Sequence, residues 1–165
     1  MRRVSTIALV HETLSQGLTQ NVDFDELIDR QFRLSAEVAS PTQEVRTRRE
    51  GSFGELPSDL ATPLALVINE LVTNAVEHGL AGRRGTVGLA AQRHGKAGRE
   101  ERLTVTVSDD GVGLPPGPRR EGLGLQIVRT LVQSELDGTI EWSAGEGGGT
   151  EVRIEMGLDT EYRRT

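Results

Sequence analysis

Glu70, Asn74 and His78 recur at four-residue steps within residues 69–79, NELVTNAVEHG. On a helix a four-residue step returns to within about 40° of the same direction, so the three form a polar ladder able to face one ligand. Magnesium takes hard oxygen ligands and keeps several waters, and the amide oxygen of Asn74 with phosphate oxygens makes an ordinary partial shell for it. Glu70, one turn earlier, then stands where it can orient or deprotonate a water of that shell. The plain alternative is the solvated side of a surface helix, so the ladder gains meaning only from its context.

That context is three glycine-containing turns. Asp109-Asp110-Gly111-Val112-Gly113 follows Leu103, Val105 and Val107, a period-two apolar run that reads as a strand ending where the acids begin. A carboxylate at Asp109 can accept a hydrogen bond from an exocyclic amine such as that of adenine, and Gly111 and Gly113 let the backbone approach a ligand. A calcium loop is excluded, because acids at alternate positions and a closing Glu at the twelfth are missing. Gly122-Leu123-Gly124-Leu125 opens an amphipathic pattern in which Leu125, Ile127, Val128, Leu131, Val132 and Leu136 supply the apolar mass. Free N–H groups at such a helix start favour phosphate. No Gly-Lys-Ser/Thr follows and no dinucleotide fingerprint is present. Finally, residues 145–150, GEGGGT, form a hairpin turn that can bring the Thr150 hydroxyl beside the acid of the earlier turn.

Taken in order, these four segments resemble the GHKL ATPases, the superfamily of gyrase B, Hsp90, histidine kinases and MutL, over roughly residues 32–157. The resemblance implies a Bergerat fold that binds Mg-ATP. Asn74 would ligate magnesium and Glu70 would polarise a water or acceptor. Asp109 would read the adenine amine within a turn shaped by Gly111 and Gly113. Gly122, Gly124 and Leu125 would approach the phosphates, with Thr150 in the last glycine-threonine segment and His78 where relatives place a phosphate-contacting side chain. Residues 56–79, with RRVSTIALVHETL near the start, look like the HWE-like branch of sensor histidine kinases, and more narrowly like its soluble actinobacterial PdtaS type. That branch implies a dimerisation and phosphoacceptor helical hairpin ahead of the ATP domain. It also implies a homodimeric full-length protein and phosphoryl transfer from ATP to histidine, then to the aspartate of a response-regulator receiver domain.

Histidine usage qualifies this. The three histidines are His11, His78 and His94. His78 belongs to the nucleotide helix and His94 to an expected loop. His11-Glu12 superficially matches a phosphoacceptor motif, but Gln16 stands where a proline would follow. His11 instead shares a helix with Val4, Ile7, Leu14 and Leu18 and reads as a buried or partner-facing side chain. Residues 1–20 are therefore expected to be the remnant of the hairpin's second helix, with the acceptor upstream. Residues 21–157 are the expected catalytic ATP-binding domain, and residues 158–165 a C-terminal tail.

The elements that must position these residues follow from periodicity. An amphipathic helix is expected over residues 3–18, then a polar joint over residues 19–22. A second helix follows, its face traced by Phe24, Leu27, Ile28, Gln31, Phe32 and Ser35, ending before Pro41. Alternation over residues 45–53 predicts a strand, turned near Gly51. Leu64, Val67, Ile68, Leu71, Val72 and Ala75 give the nucleotide helix its apolar stripe, with Thr62 as N-cap, Pro63 as first helical residue and Gly79 as stop. Strands are expected over residues 87–91 and 103–108 around a loop at 94–102, and over residues 140–142 and 151–156. Residues 115–120, PPGPRR, read as a short nucleotide lid. Arg46, Arg48 and Arg49 read as an exposed strand edge. The sum is an α/β two-layer sandwich, a mixed, mostly antiparallel sheet packed on helices.

The chain of 165 residues suits one moderate domain with an appendage. A net charge of −6 opposes a general nucleic-acid surface, and the absence of cysteine excludes disulfides and thiolate chemistry. No apolar run is long enough to span a membrane, and the need for ATP points to the cytoplasm. Three functions fit: the ATP-binding portion of a sensor histidine kinase, preferred because of the N-terminal helix; an anti-sigma-type GHKL serine kinase; and a noncatalytic, nucleotide-gated interaction module responding to ATP or ADP.

Overall fold

The computed structural model describes residues 21–39, 44–96, 99–114 and 122–158. The expected helix at residues 3–18 with His11, the PPGPRR lid and most of the tail lie outside them. In chain order the elements are β1 (Asn21–Asp23), α1 (Phe24–Ala39), β2 (Val45–Gly51), β3 (Glu55–Pro57), α2 (Ser58–Asn74) and a π turn (Ala75–Gly79). Then come β4 (Gly85–Lys96), β5 (Arg99–Asp109), α3 (Leu123–Thr130) with a second π turn (Leu131–Glu135), β6 (Thr139–Ala144) and β7 (Thr150–Gly157).

Five strands form one sheet in the order β2-β4-β5-β7-β6. β2 runs parallel to β4 and every other pair is antiparallel. Alternation explains its two faces. Leu89 pairs with Val107 and Val107 with Val152, and Ala91 pairs with Val105 and Val105 with Ile154. These side chains are buried against the helices, whereas Thr104, Thr106 and Ser108 alternate with them on the opposite face. All three helices pack on the apolar face, so the architecture is the expected two-layer sandwich with a mixed, mostly antiparallel sheet.

Every residue of the anticipated α2 stripe is buried, from Leu64 to Ala75. The helix differs from expectation at its start. It begins at Ser58, not Thr62, and Pro63 lies inside it, one turn further in than a first-turn proline. Gly79 is the last residue of the helical run, as expected, but not through a left-handed conformation of its own. The π turn runs through it, Leu80 N–H closes on the Ala75 carbonyl at 2.8 Å, and the left-handed residue is Ala81 with φ 50°.

Further differences are local. Asn21 to Asp23 were expected to be joint and helix entry, but they pair with β3 in a two-stranded ribbon, and Asp23 Oδ1 caps α1 by accepting from Glu26 N–H at 3.3 Å. The loop at 94–102 is replaced by a hairpin in which His94 pairs with Arg102 and Lys96 with Arg99, a bulge at Gly95 (φ 89°) absorbing the irregularity. Ile127 was assigned to the apolar mass of α3 but is exposed, whereas Val128, Val132 and Leu136 are buried. Leu158, placed in the tail by sequence, is buried and donates its N–H to the Glu101 carbonyl at 2.8 Å.

Arg49 departs most from the exposed-edge reading. Its guanidinium bonds Asp25 at 2.5 Å and Asp29 at 2.8 Å, and lies 4.9 Å from the centroid of the Phe53 ring. Asp25 also accepts from Ser52 Oγ at 2.7 Å and from the N–H groups of Phe53 and Gly54, both at 2.9 Å. Burial is the largest influence on the Asp25 carboxyl and pushes it up. The Phe53, Ser52 and Gly54 donors and the Arg49 charge together outweigh it and hold the group below the usual carboxylate range. This hub ties the β2–β3 connection to α1 and seats Phe53, fully buried, against Phe24 at 4.8 Å between ring centroids. Phe53 thus belongs to the core although its strand ends at Gly51.

Candidate functional site

Asp109, Gly111, Gly149 and Thr150 meet where the π turn after α2 abuts the last residues of β5. Asp109 closes β5, stands opposite Val87 on one side and Thr150 on the other, and is 9% exposed. Its carboxylate accepts Gly111 N–H at 3.0 Å and the main-chain N–H of Thr150. Burial is the leading influence and raises the carboxyl above its usual range. The two N–H donors oppose that rise, and the neighbouring Asp110 charge adds to it. The sequence expectation concerned the hydroxyl of Thr150; the bond to Asp109 comes from its backbone.

Asp110 has a separate duty. Its Oδ1 accepts Thr86 N–H at 2.8 Å, fastening the turn to the start of β4. The two adjacent acids of the DDGVG segment therefore point to different neighbours, one along the sheet end and one across it.

Gly79 is the residue whose part here was missed. A Cβ placed on it would lie 2.5 Å from the Asp109 carboxyl carbon and 2.9 Å from Oδ1, closer than real side chains come. Its carbonyl accepts Val112 N–H at 2.8 Å and fills the space in which a Cβ on Gly111 would stand. Gly79 is thus required by close approach, not by chain reversal, since the left-handed conformation falls on Ala81. A helix-ending glycine reads from sequence as a stop signal, and only the strand end, distant in sequence, reveals the other reason. Gly149 closes the opposite side: with φ 79° it packs against the Asp109 carbonyl, and a Cβ there would come 2.8 Å from Asp110 Cα. Gly113 also has positive φ, 80°, and faces the Gly149 carbonyl.

Glu70 and Asn74 lie on α2 one turn apart, Glu70 buried and Asn74 half-buried at the last α-helical position. The ladder runs from buried to exposed along the helix. The π turn widens the helix after Asn74, and His78 emerges exposed within it. Gly122 is the exposed N-cap of α3, with φ −74° and ψ 175°, and supplies no side chain to cap the helix. The first N–H groups of α3, at Leu123, Gly124 and Leu125, therefore have no side-chain cap at Gly122. α3 packs beside α2 within the same layer.

Among the described residues no group of three or more His, Cys, Asp or Glu could cage a metal. One amide oxygen at Asn74 with one carboxylate a turn away fits instead an ion that arrives with phosphate and water ligands.

Comparison with known proteins shows the family and the fold. The family model described as histidine kinase-, DNA gyrase B-, and HSP90-like ATPase matches residues 59–160. The chain is 44% identical over 161 residues to the sensor histidine kinase PdtaS of Mycobacterium tuberculosis, covering 94% of this chain and 31% of that protein. It is 42% identical over 168 residues to PdtaS of Mycolicibacterium smegmatis, covering 99% and 33%. It thus spans about a third of the length of these relatives. Among solved structures, the histidine kinase domain of a blue-light activated histidine kinase from Erythrobacter litoralis superposes with a TM-score of 0.82 at 26% identity, covering 98% of this chain and 80% of that one. The catalytic domain of histidine kinase ThkA shares the fold, with a TM-score of 0.64 at 22% identity over 84% and 94%. No helix among the described residues is long and apolar enough to cross a membrane.

Proposed function

Because the chain belongs to the histidine kinase-, DNA gyrase B- and HSP90-like ATPase family, we propose that it is the catalytic ATP-binding part of a sensor histidine kinase. Its work is to hold Mg-ATP and deliver the γ-phosphoryl group to a histidine on an upstream helical segment, for relay to a response-regulator receiver domain. The observation that carries this reading is the convergence of Gly79, Asp109, Gly111 and Gly149 at one junction. There a single carboxylate, that of Asp109, is oriented by main-chain N–H groups at the end of β5, and its chemistry suits an exocyclic amine.

Each residue then has a task. Asp109, oriented by the Gly111 and Thr150 N–H groups, accepts the adenine amine and rejects a base that presents a carbonyl at that edge. The amide oxygen of Asn74 would hold magnesium, and the ion would supply charge neutralisation for the transferring group. Glu70, buried one turn back, orients or takes the proton of the attacking group. The N–H groups of Gly124 and Leu125 receive phosphate oxygens, with Gly122 leaving the approach clear. His78, exposed on the π turn, is assigned a phosphate contact of longer reach. On this reading residues 21–157 are the catalytic domain, residues 1–20 the end of the dimerising hairpin, and the full-length protein a cytoplasmic homodimer.

The test is to incubate the chain with γ-labelled ATP, magnesium and the upstream helical segment of its own protein. Acid-labile label on that segment is expected. Acid-stable label on a serine, or ATP binding with no transfer, would overturn the histidine kinase assignment.

A further inference from the structure

Two hydrogen bonds from buried polar side chains of α1 cross its otherwise largely apolar seam with α2. Gln31 Nε2 donates to the Ala65 carbonyl at 2.7 Å, and Ser35 Oγ donates to Asn69 Oδ1 at 2.6 Å. Gln31, Ser35 and Asn69 are 1%, 7% and 5% exposed, and Leu27, Ile28, Phe32, Leu64 and Ile68 fill the same core. The spacing is four residues on each helix, 31 to 35 and 65 to 69, so the two bonds sit one turn apart along a single line.

Apolar side chains can hold two helices together without fixing their rotation, because burial has no direction. A hydrogen bond weakens steeply as its angle falls away, so two of them in line resist turning of either helix about its axis. Taking the Gln31 amide and the Ser35 hydroxyl out of water carries a cost that apolar side chains would avoid, and it is only partly offset, since Gln31 Oε1 has no hydrogen-bond partner among the described residues; a buried polar contact retained at such a cost can select one arrangement among several of similar burial. What this one selects is functional in place. Asn69 immediately precedes Glu70, about 100° further round the helix, and Asn74 follows one turn later. The angle that Ser35 imposes on Asn69 is therefore the angle at which Glu70 and Asn74 leave α2.

We infer that Ser35 and Asn69 are positioning residues for the metal-nucleotide site, their bond setting the rotation of α2 and so the direction of Glu70 and Asn74. This rests on the assignment of those two residues proposed above. The adenine carboxylate is outside its influence, since Asp109 is bonded by main-chain groups of the sheet end.

The experiment compares Ser35→Thr with Ser35→Val in the full chain, a pair equal in shape that differs in the hydroxyl, together with Asn69→Ala, Asn74→Ala and the core variant Ile68→Val. Two affinities are titrated for each: ATP with and without magnesium, and adenosine. The gain in ATP affinity on adding magnesium is expected to fall about fivefold in Ser35→Val and Asn69→Ala, the worth of one hydrogen bond, and to be retained in Ser35→Thr. Adenosine affinity stays within about twofold throughout. Ile68→Val lowers the melting midpoint and leaves the magnesium gain alone, which separates positioning from loss of stability. If the gain is equal in Ser35→Val and Ser35→Thr while Asn74→Ala abolishes it, the inference is wrong and the metal assignment stands. If Asn74→Ala also leaves the gain intact, the metal assignment fails and takes the inference with it.

Discussion

The carboxyl group of Asp109 lies over the Cα of Gly79, its Oδ1 2.9 Å from the point a Cβ on Gly79 would occupy. The end of the helix and the end of the strand therefore constrain each other through a side chain that is absent. Gly79→Ala is expected to push Asp109 off its two N–H donors and weaken ATP binding by about tenfold or more. In an Asp109→Ala background the same substitution should cost far less, because there is no longer a carboxylate to displace. Additive losses in calorimetric titrations of the two single variants and the double variant would exclude this coupling.

Asp109 also makes affinity and stability move in opposite directions. Its carboxyl is raised above the ordinary 3.8 because burial disfavours the charge. The ionised group thus costs the folded state stability at neutral pH, and that cost is relieved as pH falls through the raised value. Asp109→Asn should raise the melting midpoint at pH 7 while reducing the preference for ATP over GTP. In the unmodified protein, ATP affinity should begin to decline on acidification before pH 3.8 is reached.

Glu70→Gln preserves the shape of α2 and removes the ability to take a proton. Phosphoryl transfer is expected to fall about a hundredfold with ATP affinity changed less than about threefold. A loss confined to affinity, seen in single-turnover transfer assays at saturating ATP, would remove Glu70 from its chemical role.

The Asp25 hub carries stability and takes no part in the chemistry. Asp25→Ala removes one of the two carboxylates that Arg49 bonds and leaves the Phe53 and Gly54 N–H groups without the acceptor they share, and should lower unfolding free energy at pH 7 by about 1–3 kcal/mol in denaturant titration. Because the Asp25 carboxyl is held below 3.8 in the folded state, its contribution is complete above that pH and is lost as pH falls through the lowered value. The difference between variant and parent should therefore shrink in strong acid.

Much of the layered fold could be read in advance, for reasons visible in particular residues. The stripe from Leu64 to Ala75 repeats at helical steps over three turns, and Leu103, Val105 and Val107 alternate up to Asp109, so both elements announce their buried face. Gln31 and Ser35 fell on the apolar face of α1 by period alone, and they prove buried because α2 supplies their partners. Features that depend on distant chain were not legible. The β1–β3 ribbon has three residues per strand, too few for a period. Arg49 looked like a strand-edge charge because Asp25, Asp29 and Phe53 are brought to it only by folding. Of the proposed site, types and spacing indicated Glu70, Asn74 and Asp109, but the π turn that holds His78 and the close approach at Gly79 leave no local mark.

β4 with β5 and β6 with β7 are hairpins between strands adjacent in the chain, whereas β2 reaches β4 only across the full length of α2. Pairings between distant segments carry a larger closure cost and form later. Gly79 against Asp109 is where the crossover part of the chain is sewn to the hairpin part. On the proposed reading, a nucleotide held at that seam would add its free energy of association to the joining of the two parts, so ATP concentration would act as a clasp on the assembled domain.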